Sequence, residues 1–177
     1  MFGKSSLQLF TIGHSTRTIE QLIGILTAYR VEILVDVRSY PGSRRNPQFS
    51  SDAIQQELSK RGIRYLWMPK LGGRRKGLGE DSRNKCWKNQ SFRNYADYME
   101  TATFREGIDE LIQLSARDTV AIMCAEALFW RCHRSMVADF LKSLDIHVAH
   151  IFDEKKAQVH EYSQCAKIIN GLLTYHD

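Results

Sequence analysis

Apolar positions along the chain switch between two rhythms. Leu7 to Gly13 is a short continuous apolar run. Beyond it, Ile19, Leu22, Ile23, Leu26 and Tyr29 recur at helical spacing behind Thr18, which has Gln21 three residues on, the spacing of a capping box. Val31 to Val37 is a β-branched run of the kind buried on both faces of a sheet. A helix follows from Ser50, with Phe49 and Ile54 at the positions of a hydrophobic staple and Arg61-Gly62 at its end. Ile63 to Met68 reads as a third strand. Ser91 opens a helix with a stripe at Phe92, Tyr95, Ala96 and Met99, and Thr103-x-x-Glu106 opens another with Ile108, Leu111 and Ile112 inside. Thr119 to Cys124 is a fourth strand, His133 to Leu144 a helix, and Ile146 to Phe152 a fifth strand. Val159, Tyr162, Ala166, Ile169 and Leu173 stripe a final helix.

This alternation predicts an α/β fold: a single domain over residues 1–177, built on a mostly parallel five-stranded sheet with helices on both faces, Rossmann-like or rhodanese-like. Ligands of such sheets bind beyond the carboxyl ends of the strands. Four segments fall there: Gly13-His14-Ser15, Arg38 to Arg44, Pro69 to Arg75, and Cys124 to Arg134. Pro69 to Gln90 is long, polar and glycine-containing, the profile of a mobile basic loop.

Length and composition narrow the class. A chain of 177 residues with 43% hydrophobic residues can bury a core without staples, so its four cysteines are expected as reduced thiols. No signal peptide and no apolar run near the ~20 residues of a membrane span are present, so a cytoplasmic protein without a membrane partner is expected. The net charge of +5 is concentrated: residues 60–93 hold eleven basic and two acidic side chains, +9, leaving −4 for the remainder. That asymmetry points to an anionic partner, either a small phosphate- or nucleotide-like molecule or a nucleic acid. Tyr65, Trp67, Trp87 and Phe92 interleave aromatics with that charge; Trp87 is the one expected to be free for stacking, whereas Tyr65 and Trp67 share a strand face suited to the core.

The densest chemistry lies between Cys124 and Arg134. Cys124 at a strand end is the candidate nucleophile, its thiol expected to be acidified by a following helix N-terminus and by basic neighbours. Glu126, His133 and His14 are candidates for proton transfer, and Cys132 either resolves an oxidised Cys124 or packs inward. Ser15, Arg38, Ser43, Arg44, Gly72, Gly73, Arg74 and Arg134 are the candidate substrate-binding residues, with Asp36 a structural acceptor or arginine partner. Leu71 to Gly77 lacks the spacing of a Walker loop or a dinucleotide fingerprint. The C-x7-C spacing matches no common zinc pattern, so neither cofactor nor metal is expected.

Taken together, Thr11-Ile12-Gly13-His14-Ser15, Val35-Asp36-Val37-Arg38 with Pro41, Ser43, Arg44 and Phe49, Leu71-Gly72-Gly73, and Cys124-x-Glu126 with Cys132-His133-Arg134 resemble the domain-of-unknown-function family numbered 488, over about residues 8–152. The resemblance implies a compact bacterial or archaeal α/β protein and no particular reaction. A weaker likeness links the strand-cysteine-loop-helix order to rhodanese and cysteine-phosphatase domains. Those close the loop with an arginine after five residues; here Arg131 follows after six and Arg134 after nine. The functional expectation is an enzyme-like site at the carboxyl edge of the sheet that binds an anionic substrate and holds a reactive thiol. A nucleic-acid-binding module using residues 60–93 and a regulatory or interaction domain are the alternatives, and self-association is compatible with each.

Overall fold

The computed structural model describes residues 7–42 and 46–177. Five strands, β1 (Gln8–Gly13), β2 (Ile33–Asp36), β3 (Arg64–Trp67), β4 (Val120–Cys124) and β5 (His147–Ile151), pair in parallel, in the spatial order β3-β2-β4-β1-β5. A sixth, β6 (Ala157–Val159), runs antiparallel along β5 and closes that edge. The helices are α1 (Ile19–Ala28), α2 (Ser51–Ser59), α3 (Gln90–Met99), α4 (Ala102–Ser115) and α5 (Arg134–Ser143).

The period-2 alternation of each strand sorts its side chains between two cores. Ile12, Leu34, Ala121, Met123 and Ile151 face α1 and α2, meeting Leu22, Leu26, Ile54 and Leu58. Leu9, Ile33, Val35, Val120, Ile122 and Val148 face α3, α4 and α5, meeting Tyr95, Phe104, Leu111 and Val137. Cys124 shares the second face, and so, by alternation, do Thr11 and His150.

Helix starts follow local chemistry. Thr18 and Gln21 form the expected capping box on α1. Phe49 and Ile54 are both fully buried where α2 begins, although the Ser50 side chain makes no capping bond. Two starts differ from expectation. Asn89, not Ser91, caps α3 by accepting from Ser91 N and Phe92 N, and Thr101, not Thr103, caps α4 by accepting from Phe104 N. In each case a competent capping side chain lies two residues upstream and takes the free amides first.

The C-terminal region departs most. No final helix forms over Val159 to Leu173. Residues 157–159 build β6, and β7 (Lys167–Ile169) and β8 (Leu172–Thr174) form a separate hairpin. Asn170 (φ 52°) and Gly171 (φ 77°) make its turn. Two residues with positive φ joining β-branched and apolar flanks are the strongest local hairpin signal, and they outweigh the helical stripe.

Residues 69–90 lie against α3. The Asp97 carboxylate accepts from Leu78 N (2.9 Å), Ser82 Oγ (2.6 Å) and Asn84 Nδ2 (2.8 Å). Cys86 forms a disulfide with Cys165, 79 residues away, correcting the expectation of four reduced thiols. Spacing alone gave no hint of that bridge, because it depends on the C-terminal segment folding back over α3. Trp87, expected to be free, packs half-buried in the same corner against Phe92 and Tyr175. Trp67 does the reverse: β3 is an edge strand, and this indole is 48% exposed. No helix among the described residues is long and apolar enough to cross a membrane.

Candidate functional site

β1 and β4 end side by side, with Gly13 opposite Cys124. Their following loops stay stitched together: His14 N donates to Cys124 O (2.9 Å) and Ser15 N to Ala125 O (3.0 Å). Gly13 makes this approach feasible, since a Cβ there would stand 1.9 Å from Glu126 O. The loop after Cys124 passes through a 3-10 turn at Phe129–Arg131 and delivers Cys132 and His133 to the start of α5.

Cys124 and Cys132 are buried, free, and 2.7 Å apart between sulfurs. That separation is shorter than a non-bonded sulfur contact and longer than the ~2.05 Å of a disulfide. Arg134 Nε donates to Cys124 Sγ (3.1 Å), Glu126 N points at the same sulfur (3.3 Å), and Arg134 N, the first amide of α5, points at Cys132 Sγ (3.5 Å). Burial opposes ionisation of Cys132, but the hydrogen bond from Cys124 and the Arg134 charge bring it down to about 6. Cys124 keeps its proton: burial first, then the bond and charge of Cys132, push it well above the ordinary thiol range. Cys132, not Cys124, is the thiol at the helix N-terminus, because the six residues after Ala125 carry the chain from the end of β4 to the start of α5.

His133 Nε2 donates to Val37 O (3.1 Å), which leaves the Nδ1 lone pair facing Cys132 Sγ at 3.5 Å. Burial lowers the His133 pKa, favouring the neutral ring. Gly73 presses on that ring, since a Cβ there would meet His133 Nδ1 at 2.4 Å.

A cavity of about 560 Å³ opens over the sulfurs, with Arg38, Gly73, Glu126 and His133 in its wall and the exposed Arg74 and Arg131 at its rim. Arg74 N donates to Ser39 Oγ (2.8 Å), and its guanidinium lies 5.7 Å from the Tyr40 ring centroid, joining the loop after β2 to the loop after β3. Arg131, Ser39 and Tyr40 belong to the site although sequence reasoning did not single them out as binding residues. The signal was available, since all three lie in loops that follow strands.

Other expected residues sit behind the cavity. Arg134 is 1% exposed, and its donors go to Cys124 Sγ, Thr11 Oγ1 and Glu126 O, so it cannot clamp an external anion. Arg38 gives its Nε and one terminal nitrogen to Asp36 and Phe49 O, and Tyr65 Oη adds a bond to Asp36 (2.7 Å), as expected for a structural carboxylate. His14 is buried and stacked on Phe49; its Nδ1 donates to Ser15 O, and burial holds it down to about 4. Neither His14 nor Ser15 lines the cavity, and Gly72 lies just outside it. Ser43 and Arg44 lie outside the described residues. Within the basic segment, several charges already have partners: Lys60 with Glu57, Arg64 with Asp118, and Lys70 with Glu106 and Glu110. Among the described residues, no group of three or more His, Cys, Asp or Glu is arranged to hold a metal ion.

The family model described as Domain of unknown function DUF488 matches residues 18–141, a span that takes in the site from Asp36 to Arg134. No curated protein and no solved structure matches the chain.

Proposed function

The chain belongs to the DUF488 family, and we propose that its site is that of a thiol-dependent enzyme acting on a small anionic substrate. The carrying observation is the placement of two free cysteines, 2.7 Å apart, at the floor of a cavity rimmed by the exposed Arg74 and Arg131. Cys132 is the attacking thiolate, stabilised by Arg134 and by the first amide of α5. His133 Nδ1 accepts or returns its proton. Arg74 and Arg131 hold the charged part of the substrate, as guanidinium groups do for phosphate or carboxylate. Cys124, protonated and in contact, is the neighbour that supplies a hydrogen bond to the thiolate or attacks a sulfur-linked intermediate on Cys132.

Two alkylating agents of different charge test this. Neutral iodoacetamide should label Cys132 with a rate that rises through a midpoint near pH 6, well below the ~8.5 of an ordinary cysteine. Anionic iodoacetate should be favoured over iodoacetamide by roughly fivefold to tenfold relative to free cysteine, a preference lost in the Arg74→Ala, Arg131→Ala double variant. Labelling only after unfolding, or a midpoint near that of free cysteine, removes the thiol half of the proposal. Equal preference before and after arginine removal removes the anion half.

A further inference from the structure

A buried line of hydrogen bonds leaves the thiol pair and crosses the sheet beneath α5. Arg134 Nη1 donates to Thr11 Oγ1 (3.3 Å), and Thr11 Oγ1 lies 2.7 Å from His150 Nδ1. His150 Nε2 lies 2.9 Å from His160 Nδ1, and His160 Nε2 lies 2.9 Å from Asp139 Oδ1. All five residues are buried, none more than 2% exposed. They come from four parts of the chain: β1, β5, the segment after β6, and α5.

The direction of the line is set at both ends. A guanidinium can only donate and a carboxylate can only accept. Thr11 therefore accepts from Arg134 and turns its own proton to His150 Nδ1. His150 then carries its proton on Nε2 and gives it to His160 Nδ1, and His160 gives its Nε2 proton to Asp139. This one arrangement satisfies every bond with both imidazoles neutral. Burial, followed by His160 and Arg134, holds His150 down to about 2, in keeping with a neutral ring. The far end is anchored as firmly, since Asp139 also accepts from Ser163 N (2.9 Å), Ser163 Oγ (2.7 Å) and Tyr175 Oη (2.8 Å).

We propose that Thr11, His150, His160 and Asp139 are positioning residues that hold the Arg134 guanidinium against the Cys124–Cys132 sulfurs and so govern the reactivity of the thiol. The inference deepens the thiol-dependent reading and rests on it. Arg134 has three directional anchors: the sulfur itself, Glu126 O and Thr11 Oγ1. Only the Thr11 anchor is backed by a chain of further bonds reaching a buried carboxylate. The other charged and titratable groups around the sulfurs are His133 just before α5, Tyr95 on α3 and, in the cavity wall and rim, Arg38, Arg74, Arg131 and Glu126. None of them belongs to the line. His150 also stacks on Phe129, whose carbonyl accepts from Cys132 N, so a change at Thr11, which leaves that stack in place, is the one that reaches the thiols through Arg134.

The test is the pH-rate profile of alkylation by neutral iodoacetamide, which does not depend on anion binding. Because the other two cysteines of the chain are joined as a disulfide, the profile belongs to the Cys124–Cys132 pair. Thr11→Val should move the midpoint upward by about one pH unit, about a tenfold loss of thiolate at a pH below it. Thr11→Ser should restore the original midpoint. Tyr175→Phe removes a bond to the same Asp139 from off the line, and should lower the melting temperature while leaving the midpoint in place. A Thr11→Val protein that melts lower but titrates like the parent, as Tyr175→Phe does, would show a merely structural network and overturn the proposal. Should Thr11→Val not fold, Thr11→Ala carries the same expectation, and an unmoved midpoint there overturns it equally. If the parent itself titrates like free cysteine, the thiol-dependent reading fails; an equal midpoint in parent and variants with an acidic parent thiol fails this inference alone.

Discussion

Gly13→Ala tests the junction on which the site is built. The added methyl would stand 1.9 Å from Glu126 O and 2.7 Å from Glu126 C, both backbone atoms that no rotamer change can move. Relief requires the β1 and β4 loops to part by more than an ångström. Overpacking of this kind costs about 1–3 kcal/mol. Parting also weakens the His14 N–Cys124 O and Ser15 N–Ala125 O bonds that flank the contact, worth about 1 kcal/mol each. The expected loss is therefore about 3–5 kcal/mol, or about 2 M in the urea midpoint for a slope of about 2 kcal/mol/M. Because Glu126 O is also the acceptor for Arg134 Nη2, the same change should disturb the guanidinium and raise the iodoacetamide midpoint. Urea unfolding followed by circular dichroism supplies the first readout and alkylation the second. Gly42→Ala is the control, since a Cβ there meets nothing within 4 Å among the described residues. A destabilisation below about 1 kcal/mol, or one no larger than that of Gly42→Ala, would refute the claim that the strand ends are held in contact by this glycine.

Two further outcomes follow from the same structure. Breaking the Cys86–Cys165 bridge, which closes a loop of 79 residues, should cost about 2–4 kcal/mol and lower the melting temperature by roughly 5–15 °C; a scan with and without reductant checks this, and the Cys86→Ser, Cys165→Ser double variant should melt at the reduced temperature in both. His14, held near 4 by burial, makes stability fall with acid: between about 6.5 and 4 the unfolded chain takes up a proton that the folded ring refuses, which removes up to about 3 kcal/mol as the pH drops through that window. Unfolding free energies at pH 7, 5.5 and 4 should show that decline, and His14→Gln should make it shallower without abolishing it, since His150 titrates in the same direction; an equal slope in the variant would count against the assignment.

Much of the scaffold was legible from periodicity. The five parallel strands and five helices announce themselves through β-branched runs and helical stripes, and Thr18 with Gln21 marks the start of α1 by its chemistry. The carboxyl-edge rule then brought Cys124, Glu126, Cys132, His133, Arg38 and Arg74 to one place. The rule is blind to depth, however. Arg134 and Arg38 look in sequence like the exposed Arg74 and Arg131, yet their guanidinium groups point inward and serve the protein's own atoms. Whether an arginine at a strand end clamps a ligand or braces a loop depends on which acceptors the fold brings to it, and those come from residues far along the chain.

The C-terminal segment shows the same limit more sharply. Read as a helix, residues 159–173 would present His160 and Ser163 as two polar positions beside an apolar stripe, with nothing to connect them to the site. As β6, a turn and a hairpin, the segment sets His160 against His150 and brings Ser163 and Tyr175 onto Asp139. One local signal, Asn170-Gly171 between apolar pairs, was enough to favour the hairpin over the stripe. Thr11 and His150 gave a second: each is a polar residue within an otherwise apolar strand, on the face that also carries Cys124. A buried polar side chain in a strand has to find a partner, and two of them on one face of nearby strands are partners for each other. Together these signals place the line of bonds from Asp139 to Arg134 within reach of sequence reasoning, once the last helix is given up.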